Sequence, residues 1–442
     1  MAPAAGAPRP RPRRRAAIGL SSPCDGISVR PFVEKLGKLE TLDKGDNRAI
    51  REVNRSIIID LVRRGGRISR TELARRSKLT KPTVSTIIFE LLDEGMVREV
   101  GFGESVAGGG RPARLLEFND AHSAYLGIHF GVRATTVAVA DARGTIRLVR
   151  SRPSVHGQPA QTMRSIRPLV AEALQAAKVP RTRVEGAGAT VPGLVDHASG
   201  VCVLAPNLGW TNFPLRDALT EELHTPVVVN NHTQAAAVAE GRLGAARAAR
   251  SFVWVYVGSG VGSGVVIDGR LFYGQSGFSG ESGHCPVVED GPLCACGRRG
   301  CLEAVASSMA IGRSVEEAIA RKEPTSLEPS EGGGIDAAAL AAAAGAGDAL
   351  ALRILAQTGE HLGRGISFLL NVLNPEMIVL GGSVAAAGEP LLREVRSAVA
   401  RHALLPHGVA IVPSALGDKA ELIGAVLLAM ERTVRSVRIV GG

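Results

Sequence analysis

From Asp46 to Gly65, apolar side chains recur with the spacing of one helix face. The members of that face are Ile50, Val53, Ile57, Ile58 and Leu61. Gly65 and Gly66 follow at once, and two successive glycines favour the end of a helix. The pattern therefore predicts a first helix that stops at this glycine pair.

Two shorter helices are predicted next, each from its capping residue. Ser69 and Glu72 in ISRTELARRSKL have the spacing of a capping box. Thr80 is the expected N-cap of KPTVSTIIFELLDEG, with Pro82 in the first turn. Gly95 is expected to end this third helix. Its buried face is expected to consist of Val84, Ile88, Leu91 and Leu92.

Two strand-like segments, MVREVG and RPARLLEF, follow the helices and are joined by the glycine-rich ESVAGGG. Three helices and a two-stranded wing make a winged helix-turn-helix, which we assign to residues 46–119. Its third helix is expected to enter the DNA major groove with its N-terminal residues first. Residues 47–118 carry 14 Lys and Arg against 9 Asp and Glu. This excess favours DNA over the alternative, a small helical module that binds another protein.

Eight residues of this segment are expected to contact DNA. Arg70 supplies positive charge for the phosphate backbone. Arg111 and Arg114 belong to a glycine-flanked wing, from which arginine can enter a narrow minor groove. The third helix contributes the residues that lie off its buried face, namely Lys81, Pro82, Thr83, Ser85 and Thr86.

Residues 1–45 form an Arg- and Pro-rich tail without periodicity, which we expect to be disordered. The apolar run AAIGL in this tail is shorter than the roughly seven residues that an export signal needs. The run AAALAAAAGAG near residue 340 is too short and too rich in Ala and Gly to cross a bilayer. We therefore expect a cytoplasmic protein without a membrane segment.

Residues 120–432 show strand-like runs that alternate with helical stretches, the pattern of an α/β domain. IHFGVRATTVAVAD and WVYVGSGVGSGVVIDG each predict a strand, a glycine turn and a second strand, which suggests a weak two-fold repeat. TPVVVNNHTQAAAVAE changes from strand to helix at Asn230, Asn231 and His232. Open α/β folds bind ligands at such junctions, so we expect a ligand cleft there.

Three of the six cysteines crowd into residues 294–301, within HCPVVEDGPLCACGRRGC. This clustering indicates a metal site in a reducing compartment and not a disulfide framework. The expected ligands of one structural zinc ion are His284, Cys294, Cys296 and Cys301. Buried cysteines without metal are the alternative, but packing alone would not place three of them in eight residues beside glycines.

The glycine-rich VGSGVGSG, from Val257 to Gly264, could bring backbone N–H groups close to a phosphate. It lies between two predicted strands, whereas a dinucleotide-binding fingerprint needs a strand followed by a helix. Glycines in a β-hairpin are often needed only for the turn. This motif alone therefore decides nothing about function.

Taken together, VPGLVD, APNLGW, VGSGVGSGVVIDG, GESGH and CACGRRGCLE resemble the ROK family, which groups sugar kinases with transcriptional repressors. The resemblance covers about residues 47–430. It implies a duplicated actin-like, ribonuclease-H-like ATPase fold that binds sugar between its lobes, as in the sugar kinases. The winged helix-turn-helix ahead of it is similar to that of the repressor branch, and the kinases lack it.

The same resemblance implies which residues would bind the sugar. Glu281 and His284 of GESGH would contact sugar hydroxyls, and His284 would also ligate the zinc. Glu303, directly after the zinc turn, and Asn231 would accept and donate further hydrogen bonds. The other expected members of the pocket are Gly193, Asn207 and His232.

Two departures from the kinase pattern bear on catalysis. The kinases carry an Asp, which takes the proton from the sugar hydroxyl, where this chain has His232. Their first phosphate loop has the pattern DxGGT, and here it is HFGVR, from His129 to Arg133. Phosphoryl transfer depends on positioning and charge stabilisation, and both loops have lost parts of that apparatus. We therefore expect no kinase activity and no catalytic residue.

These observations predict a DNA-binding regulator of the ROK type, a repressor of sugar-metabolism genes, whose DNA binding responds to a sugar or sugar derivative. Two heads on a pseudo-palindromic operator imply a homodimer or a dimer of dimers. Two alternatives stay open: a bifunctional sugar kinase with a DNA-binding head, and a regulator that is gated by a protein partner.

Overall fold

The computed structural model describes residues 47–103, 112–330, 333–404 and 409–436. The predicted tail of residues 1–45 and the wing residue Arg111 lie outside these ranges. No helix of the described ranges combines the length and the apolar character that a membrane crossing requires.

The N-terminal segment folds as a winged helix-turn-helix. Its elements are α1 (Asn47–Gly65), β1 (Ile68–Ser69), α2 (Arg70–Ser77), α3 (Lys81–Asp93), β2 (Val97–Phe102) and β3 (Arg114–Phe118). The sheet has three strands in the order β1-β3-β2, because Ile68 pairs with Leu116 and Ser69 with Leu115. The two-stranded wing of the prediction was therefore one strand short, since a strand of two residues is too short to show alternation.

The capping residues were predicted correctly. The Ser69 hydroxyl accepts a hydrogen bond from the Glu72 N–H at 3.2 Å, and the Thr80 hydroxyl accepts one from the Thr83 N–H at 3.3 Å. The reciprocal half of the capping box is replaced, because the Glu72 carboxylate accepts hydrogen bonds from Arg75 instead. Each cap satisfies a backbone N–H that has no partner inside its helix.

The apolar faces were predicted correctly only in part. Ile58, Val84, Ile88 and Leu91 are fully buried. Ile50 was expected on the buried face of α1 and is half exposed. Leu92 is only partly buried, whereas Ile87 is buried and was missed. The reason is that only the second half of α1 reaches the small core, and α3 turns Ile87 towards it.

The rest of the chain contains two five-stranded sheets of the same plan. In order across the sheet, the strands of the first are residues 227–231, 184–191, 124–130, 134–141 and 146–153. Those of the second are residues 270–271, 261–267, 252–257, 377–381 and 410–413. In each sheet an antiparallel run of three strands continues into two strands that are parallel to its first strand. This repeated order is the duplicated actin-like, ribonuclease-H-like fold that was predicted. The two predicted glycine-turn hairpins are residues 124–141 and 252–267.

The strands of the first half are β4 (Ala124–Phe130), β5 (Ala134–Asp141), β6 (Ile146–Pro153), β7 (Val184–Val191), β8 (Leu194–Asp196), β9 (Val201–Ala205), β10 (Trp210–Phe213) and β11 (Val227–Asn231). Its helices are α4 (Pro159–Ala176), α5 (Leu215–Leu223) and α6 (His232–Leu243). Strands β8, β9 and β10 form a small separate sheet.

The strands of the second half are β12 (Phe252–Val257), β13 (Val261–Ile267), β14 (Arg270–Leu271), β15 (Met377–Gly381) and β16 (Ala410–Pro413). Its helices are α7 (Leu302–Ala306), α8 (Ser308–Ala320), α9 (Ala337–Gly345), α10 (Ala349–Leu373) and α11 (Glu389–His402). The last helix, α12 (Ala420–Ser436), returns to the first sheet.

Helix α12 lies unusually close to the first sheet. A Cβ on Gly188 of β7 would stand 1.8 Å from the Ala425 carbonyl oxygen, so only glycine permits this approach. Helix α12 also packs on α6. This packing brings the start of α12, at Glu421, beside the start of α6, at His232.

Candidate ligand pocket and metal centre

The junction between β11 and α6 is held by Asn231. The Asn231 side-chain oxygen accepts hydrogen bonds from the N–H groups of Thr233 at 2.7 Å and Gln234 at 3.4 Å. The Asn231 amide donates to the Gly193 carbonyl at 2.8 Å. Asn231 is therefore the N-cap of α6, and it also ties α6 to the loop after β7.

The second half of the chain is attached to this junction through Ser263. The Thr233 hydroxyl lies 2.9 Å from the Ser263 carbonyl and 2.6 Å from the Asn231 side-chain oxygen, and its one proton can serve either acceptor. The Ser263 hydroxyl donates to the Gly280 carbonyl at 3.0 Å and lies 3.1 Å from the Ser282 hydroxyl. These contacts place the predicted Glu281–His284 segment, which forms a 3₁₀ turn, next to the start of α6.

Glu281 and His284 lie together in this turn. The Nε2 atom of His284 is 3.8 Å from a carboxylate oxygen of Glu281. Burial raises the pKa of the Glu281 carboxyl above its usual value, and the charge of His284 partly opposes this shift. A partly buried acid beside an imidazole can both accept and donate hydrogen bonds, which suits recognition of hydroxyl groups.

Glu303 lies in the first turn of α7 and accepts a hydrogen bond from the glycine-rich hairpin. Its Oε2 accepts a hydrogen bond from the Val261 N–H at 3.1 Å, and its Oε1 lies 3.9 Å from the Cys294 Sγ. Glu303 therefore links the β12–β13 turn to the cysteine cluster.

The four predicted metal ligands converge in the structure. The donor atoms of His284, Cys294, Cys296 and Cys301 all lie within 4.8 Å of one another. The His284 Nδ1 is 3.6 Å from the Cys294 Sγ, and the sulfur atoms of Cys296 and Cys301 are 3.7 Å apart. Tetrahedral zinc with Zn–S bonds of about 2.3 Å requires sulfur atoms about 3.8 Å apart, so the set fits zinc.

The backbone of the cysteine loop is shaped by glycine. Gly300 has φ +68°, and a Cβ at this position would stand 1.7 Å from the Val288 carbonyl oxygen. The loop can therefore fold back on the segment that follows His284 only with glycine at this position. The turn delivers Cys301, which is fully buried, to the same point as His284.

The predicted DNA contacts on α3 lie on its outer side. Lys81, Pro82, Ser85 and Thr86 are exposed, and Thr83 is partly buried. The Thr83 hydroxyl lies 2.8 Å from the Thr80 hydroxyl, so it is partly engaged in the cap. The Thr86 hydroxyl donates to the Pro82 carbonyl at 3.2 Å.

The two described arginines of the predicted DNA surface are both paired with one acid. Arg70 lies 3.1 Å from the Glu99 carboxylate, and Arg114 pairs with the other oxygen of the same carboxylate. These two pairs hold the pKa of Glu99 below its usual value. The sequence analysis did not predict a role for Glu99. Its position on β2, the strand that pairs with β3, could have indicated an ion pair with the arginine of β3.

Comparison with known proteins decides the family. Residues 125–432 match the model of the ROK family, and residues 54–98 match that of the winged helix-turn-helix DNA-binding domain. The chain belongs to the ROK family. Its two-part organisation puts it in the branch of transcriptional regulators.

Two transcriptional regulators are similar to this chain over most of its length. The chain is 29% identical over 388 residues to a xylose repressor of Caldicellulosiruptor bescii, and the match covers 87% of this chain and 97% of the repressor. It also resembles the crystal structure of a ROK family transcriptional regulator that is a homologue of the E. coli MLC protein. That likeness has a TM-score of 0.74 and 29% identity, with coverage of 89% and 98%.

A ROK family glucokinase from Streptomyces griseus, solved with glucose and AMPPNP, matches only the larger part of the chain. The TM-score is 0.62 with 29% identity, and the match covers 70% of this chain and 100% of the glucokinase. The family therefore includes both a regulator and a kinase of similar architecture.

Two imidazoles are stacked at the start of α6 in this ROK chain. The rings of His129 and His232 are stacked with centroids 6.1 Å apart, and the edge of Tyr256 meets His232 at 4.9 Å. The His129 Nδ1 lies 3.0 Å from the Thr190 hydroxyl. Burial lowers the pKa of His129 to about 4 and that of His232 to about 3. Both rings are therefore neutral at physiological pH.

Two side chains beside His232 escaped the sequence analysis. Glu421 has a carboxylate oxygen 4.0 Å from the His232 Nδ1, and Tyr256 packs on the same ring. Burial raises the pKa of Glu421 to about 7. Glu421 sits at the start of α12, and no motif around it in the sequence indicated a functional role.

The remaining predicted pocket residues are less closely joined to this group. The carbonyl of Gly193 accepts a hydrogen bond from the Asn231 amide, which is the contact that joins Gly193 to the other predicted pocket residues. Asn207 is exposed on the 3₁₀ turn Pro206–Leu208, and no hydrogen bond within the described ranges joins it to the other predicted residues.

The loop at Gly131, which corresponds to the first phosphate loop of the kinases, is a tight turn. The Gly131 N–H donates a hydrogen bond to the Ala134 carbonyl at 3.0 Å.

Proposed function

We propose that this ROK chain is a DNA-binding transcriptional regulator, a repressor of sugar-metabolism genes, that responds to a sugar or sugar derivative in its kinase-like cleft. The DNA-binding head would comprise residues 46–119 and the ligand-binding body residues 120–432. The protein would act in the cytoplasm as a homodimer or dimer of dimers on a pseudo-palindromic operator.

One observation carries the ligand part of this proposal. Contacts through Ser263 join the start of α6 to the Glu281–His284 turn, so polar groups of both halves would line one cleft. Asn231, Glu281, His284 and Glu303 supply the amide, carboxylate and imidazole groups that hydroxyl recognition requires. His232, Gly193 and Asn207 complete the proposed set.

We assign one structural zinc ion per chain to His284 and the three cysteines. The ion would fix the His284 ring through Nδ1 and leave Nε2 directed to Glu281 and the sugar. All four donor positions would then be filled by protein, which suits a structural zinc and not a catalytic one.

The regulator would bind sugar without phosphorylating it. His129 and His232 stand where ROK kinases carry acids for the phosphate loop and for proton abstraction. One observation favours the alternative of a bifunctional sugar kinase. The Glu421 carboxylate lies beside the His232 ring, and a carboxylate in this position can orient a histidine that acts as a general base.

The test is a gel shift on the DNA upstream of the protein's own gene, with and without a panel of neutral hexoses and pentoses. We expect a sequence-specific complex whose affinity changes with one sugar of the panel. In parallel, the protein is incubated with ATP, magnesium and the same sugars, and we expect no turnover above background. Turnover would replace this proposal by a bifunctional kinase. DNA binding that ignores every sugar but responds to cell lysate would favour gating by a protein partner.

A further inference from the structure

Glu421 is a buried acid without a basic partner. The residue is 8% exposed, and the neutral imidazole of His232 lies 4.0 Å from its carboxylate. Asp418, which precedes α12, adds negative charge to its surroundings. Among the described residues, no arginine or lysine forms an ion pair with Glu421. A buried carboxylate in this state is costly, because the hydrogen bond from its own backbone N–H replaces only part of the water that solvated it.

The position of Glu421 connects this acid to the ligand cleft. Its neighbour His232 stands where the ROK kinases hold the base that faces the reacting hydroxyl of the sugar. A substituent on that sugar carbon would therefore meet His232 first and Glu421 directly behind it. Tyr256 and His129 close the other sides of His232.

The charges of the cleft favour a cation over an anion. His129 and His232 are neutral, whereas Glu421 and Asp418 are acids. A phosphate group would meet the carboxylate of Glu421 and no charged imidazole, so it would be repelled. Asp418 and the neighbouring Lys419 are both exposed and of opposite charge, so they do not alter this balance. A cationic group would supply the missing partner of Glu421.

A metal ion is a poorer candidate for this cation. Within the described ranges, the one group of His, Cys, Asp and Glu whose donor atoms converge within 4.8 Å is the zinc set at His284. The two imidazoles and Glu421 do not converge in this way, and His129 is already engaged with Thr190. An ammonium group needs only hydrogen bonds to a carboxylate. Glu421 can accept these alone, without further ligand atoms around the same point.

We propose that the effector is an amino sugar whose protonated amino group, on the carbon that a kinase would phosphorylate, pairs with Glu421. The inference rests on the proposed function, because it names the class of sugar that the same cleft binds. The ring hydroxyls would occupy the pocket beside Asn231 and Glu281, and the amine would reach past His232.

The pairing also predicts a pH dependence of binding. Glu421 has a pKa of about 7 without ligand, so raising the pH from 6 to 8 converts it to the carboxylate that the ammonium needs. His129 and His232 stay neutral over this range, and burial raises the pKa of Tyr256 further above its usual value. An aliphatic amine stays protonated up to pH 8. Affinity for the amino sugar should therefore increase with pH, whereas affinity for the neutral parent sugar should not.

The experiment measures binding by calorimetry to the full-length, zinc-loaded protein. Three series of ligands are compared: D-glucose, D-mannose and D-galactose, each with its 6-amino-6-deoxy and 6-phosphate derivatives, at pH 6 and pH 8. We expect one 6-amino derivative to bind at least about tenfold more tightly than its parent at pH 8. Glu421→Gln should lose this preference. Glu431→Gln on the same helix, which pairs with Arg242, should keep it.

The outcomes separate this inference from the proposed function. If a neutral sugar binds and its 6-amino derivative binds no more tightly, the amino-sugar inference is wrong and the proposed function stands. The inference is also wrong if a 6-phosphate binds best or if Glu421→Gln keeps the full preference. If no sugar of these series binds and no sugar of the hexose and pentose panel alters DNA binding, the sugar-responsive function itself fails.

Discussion

The Nδ1 atom of His284 lies 3.6 Å from the Sγ of Cys294, while the Nε2 of the same ring lies 3.8 Å from the Glu281 carboxylate. One imidazole therefore faces the proposed zinc site on one side and the proposed sugar pocket on the other. A change at the metal should alter the sugar pocket through this ring.

Replacing Cys301 by Ser tests this coupling. Cys301 is fully buried, and serine is a weak zinc ligand, so we expect zinc affinity to fall by more than about a hundredfold. Sugar affinity and the midpoint of thermal unfolding should fall with it. Metal analysis, calorimetry and thermal denaturation of the purified protein measure the three effects.

Cys285 provides the matched control, because it neighbours His284 and is outside the converging set. Cys285→Ser should keep about one zinc per chain and full sugar affinity. A wild-type preparation with far less than one zinc per chain would contradict the assignment of the site. Loss of zinc without loss of sugar affinity would show that His284 does not couple the two.

Asn231 should contribute to stability as well as to binding. Its side-chain oxygen caps α6 by accepting from the Thr233 and Gln234 N–H groups, and its amide donates to the Gly193 carbonyl. Asn231→Ala should lower the free energy of unfolding by about 1–2 kcal/mol. Asn231→Ser keeps an oxygen that can cap the helix and should lose less. Urea denaturation at pH 7 measures both, and equal losses would mean that the cap is not the cause.

The same residue shows what the sequence could predict. A polar residue between a β-branched strand and an Ala-rich helix is a local pattern, so the junction at Asn231 was predicted correctly. The caps at Ser69 and Thr80 were predicted for the same reason. The convergence of the proposed zinc ligands was predictable for the same reason, because three of them lie on one short loop with His284 ten residues ahead of the first.

The cluster around His232 could not be predicted in this way. Glu421, Tyr256 and His129 come from three distant elements, α12, β12 and β4, and meet only because α12 packs closely on α6 and the first sheet. The exposure of Ile50 has a related cause. Helical spacing shows which residues share a face, but it does not show how far along a helix the core extends.

Glu99 should weaken DNA binding by neutralising two arginines. Its carboxylate pairs with both Arg70 and Arg114, which we expect to contact DNA phosphates or the minor groove. Glu99→Gln removes this competitor and should raise DNA affinity at low salt. Because both arginines are freed, the slope of log K against log salt should steepen by about 1–2.

Salt-dependent fluorescence anisotropy with operator DNA measures this effect. Glu172→Gln is the control, because Glu172 also pairs with an arginine, Arg152, but lies on α4 outside the DNA-binding head. Its affinity and salt slope should equal those of the wild type. A fall in affinity for Glu99→Gln would indicate instead that the acid holds the arginines in place for DNA.

The two buried imidazoles should make the protein sensitive to acid. The pKa values of His129 and His232 fall to about 4 and about 3 on folding, so between pH 6.5 and pH 4 the unfolded chain binds more protons at these positions. Stability is therefore lost as the pH falls through this window. Each fully coupled proton changes the free energy of unfolding by about 1.4 kcal/mol per pH unit.

Glu421 acts in the opposite direction. Its pKa rises to about 7 on folding, so between pH 7 and pH 4.5 the folded chain binds the extra proton, and stability is gained as the pH falls. Two imidazoles outweigh one carboxyl, and the wild type should be less stable at pH 5 than at pH 7. His232→Asn should reduce this loss, whereas Glu421→Gln should enlarge it.

Urea midpoints at pH 7 and pH 5 separate these contributions, since the two variants shift the pH effect in opposite directions. His224→Asn is the matched control: His224 is exposed and has φ +44°, a conformation that asparagine tolerates. Its loss between the two pH values should equal that of the wild type. If His232→Asn keeps the full loss, folding does not lower the pKa of this imidazole, and at acidic pH a charged His232 would then lie beside Glu421. The charged imidazole would then pair with Glu421 in place of a ligand ammonium group. The same titration therefore also tests whether the cleft can bind an amino sugar.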